Sequence, residues 1–159
     1  MFASDDPAAV LTGLLQAADD LDWEAVRDRL ADEVRTDYSE LFGGEAETLS
    51  ADELVKRWRG LLPGFDATQH LLGTGLVEER EGGLVLRTHV RAYHYIDGAE
   101  GGPVWGVHGH YVVPLERTPS GWKIAGITLR LFHQEGNTVL PALAGERAAT
   151  SPRAARPHP

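Results

Sequence analysis

Cysteine is absent from the chain, which excludes disulfides, thiolate nucleophiles and cysteine-ligated zinc or iron–sulfur sites. Positive charge is scarce: 15 Lys and Arg stand against 24 Asp and Glu, a formal net charge of -9, with a pI near 5.2. That balance argues against nucleic acid and against an anionic membrane surface as partners. A neutral small molecule held in a dry cavity stays compatible with it. No apolar run approaches the ~20 residues that span a bilayer. The opening Met-Phe-Ala-Ser-Asp-Asp-Pro has neither the basic region nor the apolar stretch of an export signal. A cytoplasmic protein of one domain is expected. Its 159 residues suffice to bury roughly two-thirds of the unfolded surface and to leave room for an internal pocket. No glycine-rich phosphate loop opens a helix and no Gly-x-Ser-x-Gly elbow occurs, so nucleotide binding and nucleophilic hydrolysis lack support and no cofactor is implied.

What is present reads as helices followed by strands. Asp6-Pro7 is a helix start, a capping carboxylate before proline at the first helical position. Val10, Leu11, Leu14, Leu15, Ala18 and Leu21 then recur at helical spacing. Asp22 caps a second, short helix with Trp23, Val26 and Leu30 on its inner face, and alternation over Val34 to Tyr38 predicts a short strand. Residues 39–49 read as a loop. Ser50-Ala-Asp-Glu53 is a capping box that opens a third helix with Leu54, Trp58, Leu61 and Leu62, stopped by Pro63-Gly64. Segments near 68–79, 84–96, 104–117 and 121–133 are rich in β-branched and aromatic residues and separated by glycine-rich turns. Three helices before a four-strand antiparallel meander is an α+β pattern. The domain is expected to span residues 1–141. The Ala, Arg, Pro and Ser of residues 142–159 predict a disordered tail, unless part of it folds back over the pocket.

Ala-Asp-Asp-Leu-Asp-Trp (18–23), Thr-Asp-Tyr (36–38), Thr-Gln-His-Leu-Leu-Gly (68–73), Arg-Ala-Tyr-His (91–94) and Gly-Trp-Lys-Ile-Ala-Gly (121–126) stand in an order that resembles scytalone dehydratase. The same layout resembles the SnoaL-like and hexachlorocyclohexane dehydrochlorinase families, all of the nuclear transport factor 2-like type. The resemblance runs from about residue 8 to 133. It implies a cone-shaped, strongly bent antiparallel sheet on three N-terminal helices, enclosing a pocket. It further implies Asp19 as the pocket aspartate, His70 as the general base, His94 as the second pocket histidine, and Tyr38 as one of two tyrosines that polarise a carbonyl through a water. Ala18 stands where the dehydratase has its other tyrosine, and Tyr111 and Val113 where it has serine and asparagine. The dehydratase's own substrate is therefore not expected here.

The residues support parts of this unaided. His70 alternates with Thr68, Leu72 and Thr74 on one strand face. His94 shares parity with Leu86, Thr88, Val90 and Ala92, an apolar inward face, whereas His89 falls beside Arg87 and Arg91 on the other. Spacing alone does not choose between Asp19 and Asp20 as the inward carboxylate. A carboxylate on one ring nitrogen would fix the tautomer of His70 and strengthen the other nitrogen as a base, and His94 could then donate a proton to a departing hydroxyl. Trp58, Leu54 and Phe65 are expected as apolar wall. His108-Gly-His110 invites a metal reading, but their parity sets them opposite Tyr111, Val113 and Leu115, and no metal is expected.

The expected function is a cofactor-independent lyase, dehydratase-like, acting on a small apolar cyclic or polyketide-like substrate. An isomerase or cyclase using the same dyad is the nearest rival, and a non-catalytic ligand-binding or oligomerisation module the rival from another class. A homo-oligomer, dimer or trimer, is expected through the convex sheet face carrying His89, His108, His110, Tyr93 and Tyr95.

Overall fold

The computed structural model describes residues 6–157; the first five residues, on which part of the export-signal reading falls, and the last two of the expected tail lie outside it. In chain order the elements are α1 (Pro7–Asp20), α2 (Trp23–Asp28), β1 (Leu30–Asp37), α3 (Ser39–Phe42), β2 (Glu47–Ser50), α4 (Ala51–Arg59), a single 3-10 turn (Leu62–Gly64), β3 (Ala67–Leu72), β4 (Leu76–Arg80), β5 (Gly83–Tyr95), β6 (Val104–Thr118), β7 (Gly121–Gly136) and α5 (Leu140–Thr150).

The three expected helices start where their caps sit. Asp6 accepts from the Ala8 N–H at 3.0 Å, Asp22 from Ala25 at 3.1 Å, and Ser50 from Glu53 at 3.1 Å. Each cap satisfies one of the donors that a helix leaves unpaired in its first turn. Leu11 and Leu14 of α1 are fully buried, with Val26, Val34, Phe65, Val113 and Ile124 in the same core. The second helix ends earlier than expected, at Asp28, and Leu30 begins β1 instead of closing the helix. Residues 39–49, expected as a loop, contain the single turn α3 and the start of β2, which pairs antiparallel with β1.

The sheet runs β2-β1-β7-β6-β5-β3, with β4 also on β5. It is curved and unclosed, and it is mixed rather than antiparallel throughout: β1 lies parallel to β7, from Leu30 opposite Ile124 to Asp37 opposite Thr128. No hairpin links these two strands, so no turn signal could announce their direction. The segment expected as one strand over 68–79 is split at Gly73–Gly75, and β3 and β4 take opposite ends of β5. Curvature comes from breaks in register between β6 and β7, one at His108/Gly109 and one between Val112 and Leu115. Pro114 lies in the second, where a missing N–H costs no ladder bond. At Gly109 a Cβ would stand 2.1 Å from the Arg130 carbonyl, so the close approach of the strands requires glycine there.

The chain beyond Ala142 is not a structureless tail. α5 covers Leu140–Thr150, with Leu140 and Ala144 fully buried. It packs on the turn at Leu62–Gly64 so closely that a Cβ on Gly64 would lie 1.7 Å from the Ala144 carbonyl. Apolar side chains at two helical positions, against a glycine in a distant segment, make a contact that local composition does not reveal. No helix among the described residues is long and apolar enough to cross a membrane.

Candidate active site

A cavity of about 310 Å³ opens between the concave sheet face, α1, α3 and α4. Its wall is mainly apolar, including Leu15, Leu54, Trp58, Leu61, Val107 and Leu129, and its polar groups come from Thr36, Tyr38, His70, His94 and Tyr111. Glu45, Glu47 and Arg57 stand at one side, the last two joined by an ion pair of 2.6 Å.

The alternation of β3 turns Thr68 and His70 towards the C-terminal turn of α1, and that turn presents Asp19. Asp19 Oδ1 accepts from the Thr68 hydroxyl at 2.9 Å and from His70 Nδ1 at 2.8 Å, while Oδ2 accepts the His70 backbone N–H at 2.9 Å. Both side chains are largely buried, 14% and 11% exposed. The carboxylate is an acceptor to three donors, and a proton held on Nδ1 leaves Nε2 of His70 with its lone pair free. Asp19 thus sits behind His70, not on the cavity wall. Asp20, the alternative by spacing, makes no such contact with its side chain.

His94 is directly opposite Trp105 in the β5–β6 ladder, and its Nδ1 donates to the Trp105 carbonyl at 3.0 Å. Since a carbonyl can only accept, Nε2 of the neutral ring is an acceptor. Burial, with the His70 imidazole nearby, holds its pKa down to about 4. The expectation that His94 donates a proton to a departing hydroxyl is corrected on this ground: at neutral pH its cavity-side nitrogen carries none. The ring is packed on Trp105 at 4.3 Å between centroids and on Phe65 at 4.9 Å, and stands edge-on to His70 at 6.0 Å.

Tyr38 and Tyr111 share a hydrogen bond between their hydroxyls, and desolvation raises both above the ordinary phenol range. For Tyr111 the nearby Asp19 carboxylate pushes the same way. Both hydroxyls therefore stay protonated: one proton is spent in the bond between them, and the other is left to donate.

Seven of the nine expected site residues gather here: His70, Asp19, His94, Tyr38, Trp58, Leu54 and Tyr111. Phe65 and Val113 do not line the cavity. Both are fully buried in the core, Phe65 because the turn after Pro63 carries its ring behind His94, and Val113 because it lies further along β6, beyond the cavity floor. Sequence reasoning missed Thr68 as a ligand of Asp19, although its shared face with His70 was visible. It also missed Trp105, whose position opposite His94 depends on the length of the turn between β5 and β6. His108, placed by parity on the face away from Tyr111, has Glu135 Oε1 at 2.8 Å from Nε2.

A curved mixed sheet over a long N-terminal helix, with a closed-end pocket lined by imidazole and phenol groups, defines a pocket protein of the nuclear transport factor 2-like class. A model of the SnoaL-like domain matches residues 8–128, and the chain belongs to that family. The fold is similar to the Kfla4162 protein of Kribbella flavida, with 23% identity, a TM-score of 0.79, and 85% of this chain and 93% of that one covered. It is similar to a candidate scytalone dehydratase of Novosphingobium aromaticivorans, at 17% identity and TM-score 0.67, covering 82% and 84%. A type 2 hexachlorocyclohexane dehydrochlorinase aligns at 13% identity and TM-score 0.66, covering 96% and 95%. No functionally curated protein matches the chain in sequence.

Proposed function

We propose that the protein is a cofactor-independent lyase that removes water from a small, largely apolar, cyclic β-hydroxy carbonyl compound. The observation that carries this reading is the 2.8 Å hydrogen bond from His70 Nδ1 to a carboxylate already holding two further donors, at the edge of an apolar cavity. Burying a carboxylate against an imidazole is expensive, and a pocket that only holds an apolar ligand has no use for it.

In this reading His70 Nε2 takes the proton α to the carbonyl, and the electron pair of that C–H bond forms the enolate. The Tyr38–Tyr111 pair donates to the carbonyl oxygen as charge develops there. Return of the electron pair forms the C=C bond and breaks the bond to the β-oxygen. The departing hydroxide needs one proton. His94 has none to give, so the imidazolium of His70 returns the one it has just taken, and water leaves from the same face of the substrate. His94 Nε2 acts as an acceptor that orients a substrate hydroxyl. The same enolate could instead be reprotonated elsewhere or attack a second electrophile, which makes isomerisation or cyclisation variants of one reading.

The test is exchange of the α-hydrogen of cyclic β-hydroxy ketones in deuterated water, followed with product formation. Wild type should exchange and eliminate, and His70→Ala should do neither while its circular dichroism stays that of wild type. Equal exchange in wild type and His70→Ala would end the proposal. A second copy of the chain on the convex face, where Tyr93 and Phe132 are exposed, belongs to the same reading, and sedimentation at two concentrations decides it.

A further inference from the structure

The turn that ends α1 must hold Asp19 in one place, and its own chain neighbourhood does only part of this. Leu21 is left-handed at φ 60, and the N–H groups of Leu21 and Asp22 take the carbonyls of Ala18 and Ala17 at 3.1 and 2.8 Å. The carbonyls of Asp19 and Asp20 are left over, as the last carbonyls of a helix are. Residues from the far end of the chain take both. Arg153 Nη2 donates to the Asp19 carbonyl at 3.0 Å, and the Arg156 backbone N–H to that of Asp20 at 3.0 Å. The same guanidinium donates through Nε to the Phe65 carbonyl at 2.9 Å, and the Arg153 backbone N–H to Pro63 at 2.8 Å. Phe65 is the ring against which His94 rests.

We propose that Arg153 is a positioning residue of the site: its planar fork ties the turn that carries Asp19 to the segment that backs His94, and so holds the carboxylate in register with His70. The inference rests on the reading of Asp19 and His70 as a working pair. Arg153 touches no substrate and acts through two main-chain carbonyls. A guanidinium can bridge them because its donors are fixed in one plane, whereas an ammonium is a point donor. Its charge also suits the end of a helix, where the dipole is negative. The clamp is a long-range contact, its two ends 134 residues apart.

The experiment reads the imidazole Hδ1 proton of His70 by NMR, assigned through its loss in His70→Gln, in wild type, Arg153→Lys and Arg153→Met. A proton held between Nδ1 and a carboxylate gives a resolved downfield resonance that exchanges slowly with water. In Arg153→Met the resonance should broaden away or exchange at least about tenfold faster, and α-hydrogen exchange should fall by about one to two orders of magnitude. Arg153→Lys should recover part of both. An Hδ1 signal in Arg153→Met with the position and exchange rate of wild type overturns the proposal, even if the urea midpoint drops, because Arg153 would then be a stability clip alone. Absence of the resonance from wild type would overturn this inference and the dyad reading together.

Discussion

The carboxylate of Asp19 grips His70 twice, by the ring at 2.8 Å and by the backbone N–H of the same residue at 2.9 Å, across 51 residues of sequence. The backbone contact fixes where the strand passes and the ring contact fixes which nitrogen keeps the proton. Asp19→Asn separates these roles. An amide has one acceptor atom where the carboxylate has two, so at least one of the three donors is left unpaired. That costs about 1–3 kcal/mol of stability. The larger effect is expected on α-hydrogen exchange, a loss of about 10²–10⁴-fold with the fold retained, since the base loses its anionic partner. Exchange at the wild-type rate in folded Asp19→Asn would show that the carboxylate is only structural.

Tyr38 and Tyr111 should behave as one unit. Either change to phenylalanine removes the hydrogen bond between the hydroxyls, and the expected loss of exchange is about 10–100-fold for each. The double variant should be little worse than the poorer single one, because groups that share a hydrogen bond are not additive. Burial raises both phenols, so neither should contribute tyrosinate absorbance through about pH 11. A smaller alkaline absorbance in Tyr111→Phe than in wild type, with both still folded, would contradict this environment.

The order of α1, α2, β1, α4, β5, β6 and β7 was legible because caps, helical spacing and strand alternation are local signals, whereas α3, β2, α5 and the split of β3 from β4 were not. The inward face of β5 was legible for the same reason: Leu84, Leu86, Thr88, Val90, Ala92 and His94 are buried, and the residues between them are not. The parallel pairing of β1 with β7 was not, since no turn joins them. Spacing did not choose Asp19 over Asp20 either; the resemblance named Asp19, and in the fold donors on Thr68 and His70 some fifty residues away hold it. Phe65 and Val113 were misplaced because apolar side chains look the same in a cavity wall and in the core behind it. The proton state of His94 lay out of reach because a backbone carbonyl across the sheet decides it.

That state has a consequence for acid stability. In the unfolded chain a histidine binds its proton near pH 6.5, whereas folded His94 does so only near 4. Between those values the unfolded state binds more protons, so stability falls as pH drops through this window. The contribution, about 3 kcal/mol, is complete above the unfolded value and gone below about pH 4. His94→Gln should flatten this part of the profile: its urea midpoint should change less between pH 7 and 4.5 than that of wild type. Parallel profiles for the two proteins would mean that His94 is not held neutral by burial.

Gly64 tests whether α5 is part of the domain. A methyl group at this position would overlap the Ala144 main chain, which is backbone and cannot rotate away. Gly64→Ala should therefore lift α5 from the turn, and overpacking of this kind costs about 1–3 kcal/mol. Displacing the helix also frees Arg147, which donates to Asp66 at 2.7 Å, and exposes Leu140 and Ala144. Trypsin should then cut at Arg147 far faster than in wild type, while the rest of the chain resists. Because Arg153 follows the same helix, its clamp on Asp19 and Phe65 should loosen in step, and α-hydrogen exchange should fall although residue 64 lies outside the cavity. Unchanged proteolysis and unchanged stability in Gly64→Ala would mean that α5 does not rest on this turn in solution.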